Sequence, residues 1–142
     1  MKALLLIAHG SRREESNQEV RLLAQTLKDS TRESVDIVVP AFLELAQPSI
    51  AAGIDCCVRS GATQVIAVPY FLAAGRHVVA DIPSELKEAR QKYPGLDIVQ
   101  TQYLGQHSAI GQLLLGLVRE CETRKESSVI QVIEELQYES FT

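Results

Sequence analysis

The sequence predicts a three-layer α/β/α domain around a four-stranded parallel sheet, and three observations support this fold class. Short apolar, β-branched runs alternate four times with longer segments whose apolar residues recur at helical spacing. The clearest run, at 63–69, is almost continuously apolar, as strands are when both faces of a parallel sheet are covered. Pro69 ends this run because proline cannot donate to a sheet ladder. Such alternation is typical of a small parallel sheet between two helical layers.

The individual elements follow from apolar periodicity and from residues that begin or end helices. The predicted strands cover residues 3–8, 35–41, 63–69 and 96–101. The predicted helices cover residues 14–29, 48–60, 79–93 and 108–119. Glu14 and Glu15 suit a first helical turn, where the helix dipole favours negative charge. Pro48 suits the first position of the second helix, and Gly61 suits its C-terminal end.

The length of 142 residues indicates one folded domain, which we divide into residues 1–120 and an extension at 121–142. The extension places five apolar residues on one helical face, namely Val129, Ile130, Val132, Ile133 and Leu136. We interpret it as an amphipathic helix that covers an apolar surface or a dimer seam. A membrane role is disfavoured because Glu134 and Glu135 would be repelled by anionic lipid.

Composition excludes several classes of function. The balance of 14 basic and 18 acidic residues gives a net charge of −4, without the basic block that nucleic-acid binding requires. No apolar run is long enough to span a bilayer, so no membrane partner is expected. The first apolar run stops at His9 without a cleavage site, which indicates a strand rather than a signal peptide. Cys56, Cys57 and Cys121 lack metal-binding spacing. Cys56 and Cys57 are adjacent in a predicted helix, which indicates buried thiols of a reducing compartment and a cytoplasmic location.

Two histidines directly follow predicted strands. His9 opens the motif HGSR after the first strand, and His77 lies in a loop after the third. Because parallel strands end at one edge of the sheet, where ligands bind in such folds, both imidazoles are placed for chemistry. The alternative for His9 is a helix cap or a core hydrogen bond. Gly10 and Ser11 favour function because small residues let the backbone approach a ligand.

Other polar residues at this edge have two interpretations each. Glu44 follows the second strand, where it is either a metal ligand or proton acceptor, or an exposed acid at a helix entrance. Arg76 is either a residue whose guanidinium binds carboxylates or a solvated loop residue. Asp81 either orients an imidazole or is a helix N-terminal acid, and His107 either supports the site residues from behind or is a helix-entry residue. The sequence contains no GxSxG elbow, GxGxxG motif or Walker loop.

Three motifs together resemble the small sirohydrochlorin chelatases of the CbiX type. They are HGSR at 9–12, FLELAQPSI at 42–50 and VPYFLAAGRHVVADIP at 68–83. The resemblance covers residues 1–119 and implies a half-lobe of the class II chelatase fold. It also implies insertion of Co²⁺, with Ni²⁺ or Fe²⁺ as alternatives, into sirohydrochlorin in cobalamin or sirohaem synthesis. No ATP is consumed in this class, and the metal is a substrate rather than a permanently bound cofactor.

The resemblance places the two active-site histidines on His9 and His77 and a third site residue on Glu44. Imidazole binds Co²⁺, Ni²⁺ and Fe²⁺, and its usual pKa of about 6.5 lets it take up protons near neutral pH. We therefore expect His9 and His77 to bind the metal and receive the pyrrole protons, with Glu44 as a ligand or proton relay. Residues expected to bind the substrate and its carboxylates are Ser11, Arg12, Arg13, Tyr70 and Arg76.

One half-lobe makes only half of a tetrapyrrole cleft, so the resemblance implies a homodimer. The main alternative function is a non-catalytic dimer that carries a metal or a tetrapyrrole, which needs the same histidines but no proton acceptor. A weaker alternative is a phosphohydrolase or mutase. That chemistry usually needs an arginine before the histidine, where this chain has Ala8.

Overall fold

The computed structural model describes residues 1–30 and 34–124, with the backbone alone at His77. The chain forms two compact units, Met1–Gln106 and His107–Thr142. The first unit carries the sheet and the residues that the sequence places at its edge. The apolar face predicted between Val129 and Leu136 lies outside the described residues.

The first unit is a parallel sheet with helices between successive strands, as predicted. Its strands are β1 (Lys2–Ala8), β2 (Ile37–Phe42), β3 (Gln64–Pro69) and β4 (Asp97–Gln100). Its helices are α1 (Glu14–Ser30), α2 (Ile50–Arg59) and α3 (Arg76–Lys92). The strand order is β2-β1-β3-β4, and every pairing is parallel. β1 therefore lies centrally, and the chain after β1 and after β2 emerges at neighbouring positions.

Two apolar clusters, one on each face of the sheet, produce the three layers. Leu5 and Ile7 of β1 belong to the cluster that includes Ile54 of α2 and Ile82 of α3. Leu6, between them in sequence, belongs to the other cluster, with Val20 and Phe42. Successive residues of a strand point to opposite faces, so the apolar run of β1 supplies both clusters. The continuous apolar character of this strand is thus explained, and the predicted α/β/α fold class is confirmed.

In the first unit, two helices begin at different residues from those predicted. α2 begins at Ile50 rather than Pro48, because Ser49 is the N-cap and its Oγ accepts from the Ala52 N–H at 3.1 Å. α3 begins at Arg76 rather than Val79, after the extended backbone of Gly75. Arg76 and His77 therefore belong to the first turn of a helix and not to a loop. Gly61 follows α2 with φ of 97°, the conformation expected of a glycine that ends a helix.

In the second unit, residues 110–124 form a helix, here called α4. Its entry is formed by His107, whose Nδ1 accepts from the Ala109 N–H at 2.9 Å, as the helix-entry interpretation predicts. Several large apolar side chains of α4 are exposed, namely Leu113, Leu114, Leu115, Leu117 and Val118. Within the described part of the chain, no helix is long and apolar enough to cross a membrane.

Candidate functional site

His9 and Glu44 lie side by side at the carboxyl edge of the sheet. His9 follows β1, Glu44 lies two residues after β2, and the two strands are neighbours. His9 Nε2 is 3.4 Å from Glu44 Oε1, and both side chains are about half exposed, at 51% and 56%. The backbone fixes the same neighbourhood because the Glu44 N–H donates to the His9 carbonyl at 3.0 Å. The imidazole therefore faces solvent and is not a core histidine.

Gly10 allows the two loops to approach closely. Its φ is 93°, and a Cβ built on it would lie 1.7 Å from the carbonyl oxygen of Glu44. Only glycine fits, both for its backbone conformation and for the contact. On the other side of this contact, Leu45 has φ of 64° and the Ala46 N–H donates to the Glu44 carbonyl at 2.8 Å. This is a strained γ-turn, and strain of this kind clusters at functional sites.

The hydrogen bonds of His9 determine what its ring presents to Glu44. Nδ1 lies 3.1 Å from the Gly10 carbonyl oxygen, which only accepts, so this contact places a proton on Nδ1. In the neutral ring, Nε2 then carries a lone pair. A lone pair and a carboxylate oxygen 3.4 Å apart repel each other unless a cation or a proton joins them. The pair is therefore suited to bind a metal ion or to accept a proton.

Asn17, which was not predicted from the sequence, holds the loop that carries His9. This amide is only 3% exposed on α1. Its Oδ1 accepts from the Ser11 N–H at 2.9 Å, and its Nδ2 donates to the Ser11 carbonyl at 2.8 Å. Nδ2 also lies 3.3 Å from Glu14 Oε2. A buried amide that satisfies both backbone groups of one loop residue fixes that loop, so Asn17 is a positioning residue.

Arg21 extends this network to the loop that carries Glu44. Its guanidinium forms an ion pair with Glu14 and donates to the Gln47 carbonyl at 3.0 Å. It also lies 5.3 Å from the centre of the Phe42 ring. Hydrogen bonds from Arg21, and then from Asn17, hold the pKa of the Glu14 carboxyl below its usual value. One face of α1 thus supports both loops of the site.

A cavity of about 370 Å³ opens beside the pair. It is lined by His9, Leu43, Glu44, Asp81, Ser84 and Glu85. Asp81 and Glu85 are four residues apart on α3, so they share one face of that helix. Of the α3 residues that line this cavity, only Asp81 was considered from the sequence, and the i, i+4 spacing is the signal that would have identified Glu85. We call this space the acidic cavity.

The predicted substrate-binding residues lie outside the lining of the acidic cavity. Ser11 is half-buried, and its Oγ accepts from the Arg13 N–H at 3.0 Å. Arg12 is exposed, and Arg13 lies 3.5 Å from Glu15 in an exposed ion pair. Tyr70 is 39% exposed after β3, and Arg76 is exposed at the start of α3.

The predicted pairing of two imidazoles involves His77, which is the second residue of α3. Its backbone lies at the same edge of the sheet as His9, and its side chain is outside the described atoms. Among the side chains that the structure does describe, no group of three or more His, Cys, Asp or Glu residues is arranged to hold a metal ion. The described part of the site therefore offers a metal the two-residue set of His9 and Glu44.

This lobe has the three-layer parallel α/β fold, and its His9–Glu44 pair lies beyond the carboxyl ends of the strands, where ligands bind in proteins of this class. Residues 3–121 match the CbiX family model, and the chain belongs to the CbiX family. It is 36% identical to the chloroplastic sirohydrochlorin ferrochelatase of Arabidopsis thaliana over 118 residues, which are 83% of this chain and 52% of that protein. It is 33% identical to a sirohydrochlorin cobaltochelatase of Priestia megaterium, over 94% of this chain and 44% of that one.

Among solved structures, the lobe is similar to the sirohydrochlorin chelatase SirB of Bacillus subtilis subspecies spizizenii, determined in complex with cobalt. The TM-score is 0.74 at 29% identity, over 84% of this chain and 50% of that chain. This chain thus spans about half the length of each of these three relatives.

Proposed function

We propose that this chain is a sirohydrochlorin metal chelatase that inserts a divalent metal without ATP. Membership of the CbiX family and relatives named as cobaltochelatase and ferrochelatase support this assignment. The observation that carries it is the His9–Glu44 pair, in which two acceptors face each other 3.4 Å apart. Ligand bonds of about 2.1 Å at angles between 90° and 109° separate two ligand atoms by roughly 3.0–3.4 Å. The pair therefore suits a divalent cation.

The same pair suits both halves of the reaction. Insertion exchanges one M²⁺ for two pyrrole N–H protons, so the site must release a metal and take up protons. While His9 Nε2 and the Glu44 carboxylate hold the metal, their lone pairs are occupied. As the metal moves to the ring nitrogens, these lone pairs become free to accept protons. In this proposal, His77 is the second imidazole that receives metal or proton.

In this proposal, the negative charge of the acidic cavity attracts the metal ion to the site. Glu44, Asp81 and Glu85 line it together, so it attracts a hydrated cation. Sirohydrochlorin carries carboxylates, which need positive or neutral donors instead. We propose that Arg12, Arg13 and Arg76 bind those carboxylates from outside the cavity, with Ser11 and Tyr70 against the macrocycle. Co²⁺ is the proposed metal, with Ni²⁺ and Fe²⁺ as alternatives that share its ligand preferences.

We further propose that the active form is a homodimer. The chain spans about half of its longer relatives, so two copies restore their size. The exposed leucines of α4, which include Leu113, Leu114 and Leu117, are apolar surface that a second copy would cover. Cytoplasmic localisation stays a prediction, as does a place in cobalamin or sirohaem synthesis.

The test is metal insertion by the purified protein, followed by the absorbance change of sirohydrochlorin with Co²⁺, Ni²⁺ or Fe²⁺ and no nucleotide. We expect a rate well above the spontaneous one, and a loss of roughly 100-fold in His9→Ala. His107→Ala is the matched control, because that histidine caps α4, and it should stay within twofold of wild type. Cobalt binding without any acceleration would instead support a metal carrier and refute the chelatase.

A further inference from the structure

A second cavity, of about 220 Å³, lies on another face of α3. On the helix it is lined by Val78, Val79 and Ile82, whereas Asp81, Ser84 and Glu85 line the acidic cavity. Its opposite wall is the segment that follows β4. α3 therefore separates the acidic cavity, which three carboxylates line, from a cavity whose helix side is lined by apolar residues.

The wall after β4 is held in place by backbone contacts. The Thr101 N–H donates to the Ala67 carbonyl at 2.9 Å, and the Gly105 N–H donates to the Phe71 carbonyl at 2.9 Å. A Cβ at Gly105 would lie 1.7 Å from the carbonyl oxygen of Leu72, so glycine lets the two loops meet. The cavity is thus a preformed feature of the fold.

The polar lining consists of neutral groups, chiefly side-chain amides. They are contributed by Gln100, Thr101, Gln102, Tyr103 and Gln106. No acidic or basic side chain is among the described residues that line this space. The amides of Gln102 and Gln106 have no hydrogen-bond partner within the described part of the chain, so their N–H groups are available to a ligand. We call this space the amide cavity.

This lining suits a carboxylate on an apolar stem. Amide N–H groups donate to carboxylate oxygens, and Val78 and Val79 provide apolar surface for methylene groups. The first turn of α3 also borders the space, and the positive end of a helix dipole favours an anion. The volume is too small for a macrocycle but is sufficient for one short acid arm and its water. In the acidic cavity the same arm would meet carboxylates and be repelled.

We propose that the amide cavity binds a peripheral carboxylate side chain of the tetrapyrrole, with Gln102 as a donor, while the acidic cavity across α3 receives the cation. This inference rests on the proposed function and assigns separate sites to its two substrates. It predicts that the amide cavity affects the tetrapyrrole and not the metal.

The test replaces Gln102 with its charged isostere, Gln102→Glu. A carboxylate there repels the substrate carboxylate, so the KM for sirohydrochlorin should rise roughly tenfold. The KM for Co²⁺ and kcat should change less than twofold, and Gln102→Ala should raise the KM for sirohydrochlorin roughly threefold. Gln91→Glu is the matched control, since it adds the same charge on an exposed turn of α3 outside both cavities, and it should leave all constants unchanged.

A second measurement, equilibrium binding of metal-free sirohydrochlorin, separates this inference from the proposed function. If wild type binds the tetrapyrrole without metallating it, the chelatase proposal fails, and weaker binding by Gln102→Glu still supports the amide cavity. If wild type metallates normally and Gln102→Glu matches Gln91→Glu in both measurements, the inference is overturned. Absence of tetrapyrrole binding by wild type would overturn both.

Discussion

The sharpest prediction concerns Asn17, whose amide holds the loop of His9. Asn17→Ala removes two hydrogen bonds to the Ser11 backbone and one to Glu14, at a position only 3% exposed. Each such bond contributes about 1 kcal/mol, and the Ser11 N–H and carbonyl lose their buried partners. We therefore expect the free energy of unfolding to fall by about 3 kcal/mol. That is a large part of the roughly 5–15 kcal/mol typical of a domain.

The measurement is urea denaturation followed by circular dichroism, with Gln25→Ala as the control. Gln25 is an exposed amide on the same helix with one hydrogen bond, to Asp29, so its loss should cost less than about 0.5 kcal/mol. Metal insertion by Asn17→Ala, measured where the variant is folded, should lose kcat more than affinity, because the His9 loop is displaced. A cost below about 1 kcal/mol with an unchanged kcat would refute the positioning role.

The isosteric change Asn17→Asp adds a pH-dependent test of the same hydrogen bonds. A carboxylate keeps the bond from the Ser11 N–H, but its other oxygen then faces the Ser11 carbonyl and Glu14. Burial and the Glu14 charge should raise the pKa of the introduced carboxyl above its unfolded value of about 3.9. A raised folded-state pKa contributes stability below the unfolded pKa that is lost as pH rises. The free energy of unfolding of Asn17→Asp should therefore fall increasingly below that of wild type between about pH 4 and pH 7. A difference that stays constant with pH would contradict the assignment of these hydrogen bonds.

Three further predictions concern other parts of the lobe. Gly10→Ala should lower the urea midpoint and abolish insertion, since its Cβ would lie 1.7 Å from the Glu44 carbonyl oxygen; wild-type stability would contradict the close approach. The Tyr93 hydroxyl donates to Asp55 and lowers its pKa, so this contribution is present above about pH 4 and lost below it. In Asp55→Asn, the urea midpoint should therefore change less between pH 3 and pH 5 than it does in wild type. Burial raises the pKa of Cys57 to about 11, so iodoacetamide at pH 8 should modify it only after unfolding, as checked by mass spectrometry.

The fold was predictable because the spacing of apolar residues distinguishes its strands from its helices. Each predicted strand is present in the structure, and residues 3–8 of β1 are all apolar because both faces of that strand are buried. The helix starts were less predictable. Gly75 precedes α3 without a side-chain cap, so nothing in the sequence marks Arg76 as helical. For α2, the sequence does contain the start signal, because the Ser49 hydroxyl caps the helix. The prediction takes Pro48 instead as the first helical residue, which places the predicted start two residues too early.

The site was predictable where residues follow strands and less so where helices contribute. His9 and Glu44 follow β1 and β2, and only the strand order makes them neighbours. Asn17 lies three residues before Val20 on the buried stripe of α1, so a polar residue in an apolar stripe was the missed signal. Glu85 could be found from the sequence only as the i+4 neighbour of Asp81, because which face of α3 turns toward His9 depends on packing.

The proposed chelatase function requires a metal site that binds the ion and then releases it to the ring. A structural metal site surrounds its ion with four protein ligands and retains it, whereas a site with open positions lets another ligand enter. The described side chains supply His9 and Glu44, held by the Gly10 contact and the strained turn at Leu45. In the proposed function these two ligands orient the cation, His77 contributes the second imidazole, and other positions stay open for the ring nitrogens. The close approach at Gly10 and the turn at Leu45 fix the backbone on either side of Glu44, and under the proposed function the further ligands come from His77 and from the tetrapyrrole.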